Sequence, residues 1–187
     1  AGVLSSGRTS YAGDYSNVKL TWQASASHMF AGFYNQDPIT LSPLQRGWYG
    51  NSYHEDTERE QFQGGWDGSL QWTGVFTDNF FMSSKLQIHR QELNVDPTSP
   101  TWNQQPYQYD YVWVYRYGAP STQYTSERFR DSLLVDGTYF LDTASGSHEF
   151  KAGVEISRAE PVAGTVHNSM GYVYTWDGEP SIKYSWS

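Results

Sequence analysis

Residues 66–90 read WDGSLQWTGVFTDNFFMSSKLQIHR. On each side of the central TDN, large apolar residues occupy alternate positions and polar residues occupy the positions between them. The apolar set contains Trp66, Leu70, Trp72, Phe76, Met82, Leu86 and Ile88, and the polar set contains Asp67, Ser69, Gln71, Lys85, Gln87 and His89. A period of two residues is typical of a β-strand with one apolar and one polar face. The stretch therefore predicts a hairpin of two long antiparallel strands.

The same pattern occurs twice more along the chain. Asn17–Ser25 and Phe30–Gln36 flank a turn around Ser27-His28, and Phe129–Leu141 and Phe150–Arg158 flank the turn Ala144–Ser147. Two long loops, residues 37–62 and 91–127, separate the hairpins, and alternating aromatics at 107–117 predict a further hairpin in the second loop. Strands at 170–176 and 181–186 follow. We expect about eight antiparallel strands in one segment over residues 1–187, with residues 1–16 as a loop and no helix.

Composition excludes several classes of protein. Only 37% of the residues are hydrophobic, and no window approaches 18 consecutive apolar residues, which excludes a membrane-spanning helix. A transmembrane barrel is compatible, because its alternating strands average to a hydrophilic sequence. The absence of cysteine rules out a small disulfide-stapled domain. A net charge of -8 without a basic stripe argues against a nucleic-acid partner.

Alternating strands build either a soluble β-sandwich or a transmembrane barrel. The runs of about 9–14 residues are long enough for a tilted strand to cross a bilayer, and short turns alternate with long loops. Aromatic residues cluster beside the short turns, as in an interfacial girdle: Phe30, Phe76, Phe80, Phe81, Tyr139, Phe140 and Phe150. We predict an all-β, antiparallel up-and-down transmembrane β-barrel, part of a larger barrel, with both long loops extracellular. The sandwich stays open as an alternative.

The sequence shows no catalytic or metal-binding motif. Its histidines lack the spacing of metal ligands, and it has no nucleophile elbow, P-loop or dinucleotide fingerprint. We therefore predict no enzymatic activity, no cofactor and no metal. The best binding candidates are aromatic residues of the second loop, whose rings suit stacking on a sugar or a siderophore: Trp102, Tyr107, Tyr109, Tyr111 and Trp113. The competing interpretation is that these rings pack together and brace the loop.

Residues 146–155, GSHEFKAGVE, resemble a recurrent strand of TonB-dependent outer-membrane receptors. In that family, Gly-x-His-x-x-Lys-x-Gly-x-Glu follows a short periplasmic turn. The segments VKLTWQ at 18–23 and GFYN at 32–35 resemble an earlier hairpin, most similar to the Oar-like receptors with a carboxypeptidase-regulatory-like domain. GSLQWT at 68–73 fits the next hairpin. The resemblance covers about residues 17–158.

The resemblance implies a barrel of about 22 strands, closed by a plug and energised by TonB, in the outer membrane of a Gram-negative bacterium. Such a receptor contacts outer-membrane lipid, imports a small-molecule, siderophore or glycan ligand, and reaches the TonB complex through its plug. This sequence departs from the family by having too few strands, no recognisable plug and no TonB box. It would supply wall strands and two ligand-facing loops. The alternatives are a complete eight-stranded barrel serving adhesion or envelope structure, and a soluble carbohydrate-binding sandwich.

Overall fold

The computed structural model describes residues 10–44 and 54–185. Within these ranges the chain forms twelve β-strands, two 3₁₀ turns at Glu55–Thr57 and Trp102–Gln104, and no α-helix. The strands are β1 Ser10–Gly13, β2 Ser16–Ser25, β3 His28–Gln36, β4 Ile39–Ser42, β5 Arg59–Thr77, β6 Phe80–Pro97, β7 Tyr107–Asp110, β8 Tyr115–Gly118, β9 Thr122–Thr143, β10 Gly146–His167, β11 Tyr172–Trp176 and β12 Glu179–Tyr184. The prediction of an all-β fold is confirmed.

Eight of these strands form one antiparallel sheet, called here the large sheet. Its neighbours follow chain order, from β2 through β3, β5, β6 and β9 to β10, as an up-and-down meander requires. β4 pairs with the N-terminal part of β5 and with β1. β3 and β4 therefore lie one after the other beside β5, and together they count as one column of the sheet, as each other long strand does. The column is interrupted at Asp37-Pro38, where the Asp37 carboxylate accepts a hydrogen bond of 3.1 Å from the Gly65 amide.

One face of the large sheet is apolar across its whole width. The register aligns one residue from each column in a single row, and side chains in a row share a face because antiparallel partners point the same way. The central row contains Leu20, Gly32, Leu70, Leu86, Leu133 and Ile156. The row nearer the short turns contains Trp22, Phe30, Trp72, Ser84, Val135 and Val154. We call this the apolar face.

The opposite, polar face carries ionic and hydrogen-bonding side chains in the intervening rows. His89 contacts Asp67 across β5 and β6, and Arg130 contacts Glu155 at 3.2 Å across β9 and β10. Ser83 donates to Asp136 at 2.6 Å in another row. The predicted separation of apolar and polar residues is thus confirmed in these rows, whereas Met29, Phe33, Phe81, Leu134 and Phe140 place apolar side chains on the polar face.

The strands run further than the alternation predicted. β5 and β6 have 19 and 18 residues, and β9 and β10 have 22 each. Consequently β4 and the start of β5 lie within residues 37–62, and the end of β6, β7, β8 and the start of β9 lie within 91–127. Ser10–Gly13 is a strand paired with Ile39–Ser42, so the assignment of residues 1–16 as a loop is wrong there. Residues 1–9, 45–53, 186 and 187 lie outside the described ranges.

The large sheet is not closed into a barrel within the described residues. β10 pairs only with β9 and β2 pairs only with β3, so each side of the sheet ends in a strand with one unpaired edge there. The antiparallel architecture is therefore established, whereas closure is not. No helix among the described residues is long and apolar enough to cross a membrane.

The remaining four strands form a second sheet, called the small sheet, in the order β12-β11-β7-β8. The predicted hairpin within 107–117 is confirmed as β7 and β8, and the two late strands are confirmed as β11 and β12. β11 pairs with β7 in parallel, which departs from the antiparallel prediction. Deep burial is concentrated where this sheet joins the long strands, at Val95, Ala119, Pro120 and Asn168.

Candidate binding surface

The small sheet places two columns of aromatic residues side by side. The parallel register aligns Tyr107 with Tyr172 and Tyr109 with Tyr174. The ladder continues through a 3.0 Å hydrogen bond from the Tyr111 amide to the Thr175 carbonyl. Alternation along β11 puts Trp176 on the same side as Tyr172 and Tyr174. We call this the aromatic face: Tyr107, Tyr109, Tyr111, Tyr172, Tyr174, Trp176 and Tyr184.

The rings of the aromatic face brace one another. Tyr109 meets Tyr111 edge to face with centroids 5.1 Å apart, and Tyr111 stacks on Tyr174 at 5.5 Å and 24°. Tyr107 contacts Tyr172 at 5.5 Å, and Tyr184 contacts Tyr174 at 5.9 Å, both edge to face. These are favourable geometries for aromatic pairs. The six tyrosine rings of this face are therefore held by contacts with one another.

Along β7 and β11, the exposure of the aromatic residues increases toward the turns that end these two strands. Tyr107 and Tyr172 are half-buried, whereas Tyr111 and Trp176 are 49% and 65% exposed. The opposite side of the small sheet contains Asp110 and Thr175, which are 3% and 1% exposed. One side of this sheet is thus packed against protein, and the other presents aromatic rings to its surroundings.

Asp110 joins the two turns beneath the aromatic face. Its Oδ1 accepts hydrogen bonds from the amides of Val112 and Trp113 at 2.8 and 2.9 Å. Its Oδ2 accepts from the Thr175 hydroxyl at 2.8 Å and from the Gly178 amide at 2.7 Å. Burial alone raises the pKa of Asp110, but these four donors outweigh burial and lower it to about 2.

We expect this junction to weaken only in strong acid. Because the folded pKa of Asp110 lies near 2, below its ordinary value of 3.8, the carboxylate stabilises the fold above about pH 4, and this stabilisation is lost as the pH falls through about 2. The amide resonance of Gly178, followed by NMR, should titrate with a midpoint near 2. A midpoint near 4 would contradict the assigned network. Asp177→Asn should leave that midpoint unchanged.

Asn168 fixes the small sheet to the long strands. It is fully buried, and its Nδ2 donates to the carbonyls of Trp102, Gln105 and Pro120 at 2.8, 2.7 and 3.1 Å. Its Oδ1 accepts from the Met170 amide at 2.9 Å. A single side chain therefore satisfies backbone groups from the segment before β7, the segment after β8 and the segment after β10.

The structure brings together three of the five predicted binding residues. Tyr107, Tyr109 and Tyr111 lie on the aromatic face. Trp113 lies in the neighbouring turn, strongly exposed, and its Nε1 donates to the Asp177 carboxylate at 3.0 Å. Trp102 lies apart in a 3₁₀ turn, half-buried, with its carbonyl bound by Asn168. Ligand contact by these residues stays a prediction.

The sequence did not single out the other half of this surface. Tyr172, Tyr174, Trp176 and Tyr184 were expected to form strands but not to join the aromatic residues of the second loop. Their alternation with Val173 and Thr175 was the available signal. Asp110 and Asn168 gave no signal of their own, since Asp and Asn are common in turns.

A second polar surface lies in the large sheet. A shallow recess on the polar face is lined by Phe33, Asp67, Lys85, His89, Arg130 and Glu155, among others. Four of its charged or ionisable residues form two pairs, His89 with Asp67 and Arg130 with Glu155. Among the described residues no three His, Asp or Glu side chains are grouped to hold a metal ion. The aromatic face is therefore the stronger candidate for ligand binding.

Comparison with known proteins adds no assignment: no family model matches the chain, and neither a curated protein nor a solved structure shows significant similarity to it.

Proposed function

We propose that this chain forms part of the wall of an outer-membrane receptor barrel of the TonB-dependent class, with the small sheet on the outside of the cell. The observation that carries the proposal is the uncovered apolar face. The five large apolar side chains of its central row have exposed fractions between 42% at Leu133 and 70% at Leu20, and no second sheet covers it among the described residues. A soluble sandwich would bury such a face, whereas a barrel turns it toward lipid.

The length of the apolar face fits a bilayer. From Phe129 to Tyr139 there are ten residue steps along β9, which is about 33 Å at 3.3 Å per residue. At the usual tilt of about 40° the band is about 25 Å tall, the height of the lipid-facing band of outer-membrane barrels. The apolar face thus has the extent that the hydrocarbon core requires.

Aromatic rings lie at both margins of this band. Near the short turns, Phe76 contacts Phe80 at 5.7 Å, and Phe80 shares a row with Tyr139. At the far margin, Tyr34 stacks with Trp66 at 6.0 Å. Aromatic residues prefer the two membrane–water interfaces. The spacing of the two sets supports a spanning sheet with its short turns on one side of the membrane.

Charged residues on the apolar face begin inside this band, in the row next to the central row, and are paired. Arg90 contacts Asp131 at 2.6 Å and lies 5.3 Å from the centre of the Phe129 ring. Arg158 shares the Asp131 row and pairs with Glu160. Charges are costly at the bilayer centre but much less so near the interface. Asp131 lies between the centre of the band and its margin, and its contact with Arg90 offsets part of that cost.

The unpaired edges favour a larger barrel over a complete small one. β10 has 22 residues, all exposed, and only one of its edges is paired within the described residues. Unpaired backbone groups are not tolerated in lipid. Further strands beside β10 and β2 would satisfy them, as the family resemblance at residues 146–155 implies.

Single cysteines and a membrane-impermeant maleimide test the orientation, because the chain contains no cysteine of its own. Ser169→Cys places the thiol beside the small sheet, and Ser145→Cys places it in a short turn; both positions are exposed. Intact cells should label only Ser169→Cys, and lysed cells should label both. Equal labelling in intact cells, or recovery of the protein in the soluble fraction, would refute the proposal.

A further inference from the structure

The aromatic face is open on one side. Its most exposed rings beside the turns are Tyr111 and Trp176, and the hydrogen bond from the Tyr111 amide to the Thr175 carbonyl places these two residues next to each other. Tyr109 and Tyr174 contact the Tyr111 ring from within the same cluster. Two neighbouring exposed rings suit a ligand that has flat apolar patches.

Polar groups surround the exposed rings. The carboxylate of Asp177 lies at the turn beside them, held by Trp113, and Glu179 pairs with Trp176 in the strand register. Tyrosine hydroxyls on the face both donate and accept hydrogen bonds. Burial raises the pKa of Tyr107 and of Tyr174, so these phenols stay neutral donors well into the alkaline range. The surface thus combines stacking with hydrogen bonding.

The charge of the surface selects among ligand classes. The hairpin of β11 and β12 contributes two carboxylates next to the exposed Trp176, those of Asp177 and Glu179. The whole chain has a net charge of -8. Arg116 lies opposite Tyr109 on the neighbouring strand β8 and is half-buried. An anionic ferric chelate would be repelled at the exposed end, whereas a neutral polyhydroxylated ligand would not.

We propose that the aromatic face binds a neutral oligosaccharide, with sugar rings stacked on Tyr111 and Trp176 and hydroxyl groups bonded to Asp177 and to tyrosine hydroxyls. Sugar C–H faces are apolar and sugar hydroxyls are polar, so the two kinds of contact match the two chemistries of the surface. The proposal deepens the receptor function above and rests on it for the direction that the surface faces.

Affinity electrophoresis of the purified protein in detergent tests this binding. The gels contain a β-1,4-glucan, a β-1,3-glucan, an α-1,4-glucan or a xylan, and polygalacturonate serves as the acidic comparison. We expect retardation by at least one neutral polymer. Tyr111→Ala and Trp176→Ala should each weaken the apparent affinity by about five- to tenfold, the range for loss of one aromatic contact.

Phe150→Ala is the matched control, since this exposed aromatic residue lies in β10 of the large sheet, beside a short turn and away from the small sheet. It should leave retardation unchanged. No retardation in any neutral gel, retardation by polygalacturonate alone, or equal retardation of all variants would overturn the proposal. Because the gels require only the folded protein in detergent, such failure is distinct from failure of the cysteine labelling, which tests membrane orientation.

Discussion

Leu86→Arg is expected to destabilise the protein in a bilayer by about 2–4 kcal/mol, the cost of arginine at the lipid-facing midplane of a barrel. Leu86 lies in β6, between Leu70 of β5 and Leu133 of β9, in the central row of the apolar face. Five other columns contribute to this row, and none of them places a polar side chain in it. The expected effect depends on the proposed lipid contact, because Leu86 is already 43% exposed in the sheet and loses little packing.

Gln87→Arg provides the matched control for this substitution. Gln87 is the next residue in β6, is also exposed, and points to the polar face beside Ser69 and Ser132. Urea titration of the full protein in phospholipid vesicles, followed by heat-modifiable gel migration, measures both variants. We expect Gln87→Arg to change the unfolding free energy by less than about 0.5 kcal/mol. If the two arginines have equal small effects, the apolar face does not contact lipid.

Much of the large sheet could be predicted from the sequence because one of its faces is apolar and the other is polar. Where Leu70, Leu86 and Leu133 alternate with polar residues, a period of two identifies both the strand and its faces. Beyond Arg90 this contrast disappears: β6 continues through Gln91, Glu92 and Asn94 with polar residues on both sides. The strand persists there because its backbone pairs with β5 and β9. Local sequence does not encode that pairing.

The candidate site could be predicted only in part for a related reason. The aromatic residues of β7 were visible as an alternating run, and their pairing with β8 is local. The parallel pairing of Tyr109 with Tyr174 joins residues 65 positions apart, and no pattern in either segment specifies the partner. Asp110 and Asn168 resemble ordinary turn residues until the fold brings distant backbone groups to them. The site thus depends on tertiary contacts that the pattern of one segment does not contain.

Asn168→Ala is expected to detach the small sheet, with a loss of about 3 kcal/mol or more in local stability. The substitution removes the donor for the carbonyls of Trp102, Gln105 and Pro120 and the acceptor for the Met170 amide. Each buried polar group left without a partner costs about 1–3 kcal/mol. Asn168→Asp should not rescue the fold, since its carboxylate oxygen would face the same three carbonyls.

Hydrogen exchange measured by mass spectrometry separates this local effect from global unfolding. In Asn168→Ala, amides of β7 and β11 should exchange faster by about a hundredfold, as a loss of about 3 kcal/mol implies, while amides of β5 and β6 stay protected. Ser169→Ala is the control, because its hydroxyl donates to the Asn103 carbonyl at 3.0 Å from an exposed position. It should change exchange little. Uniform loss of protection across both sheets would show that Asn168 supports the whole fold, and an unchanged small sheet would contradict its assigned role as the junction.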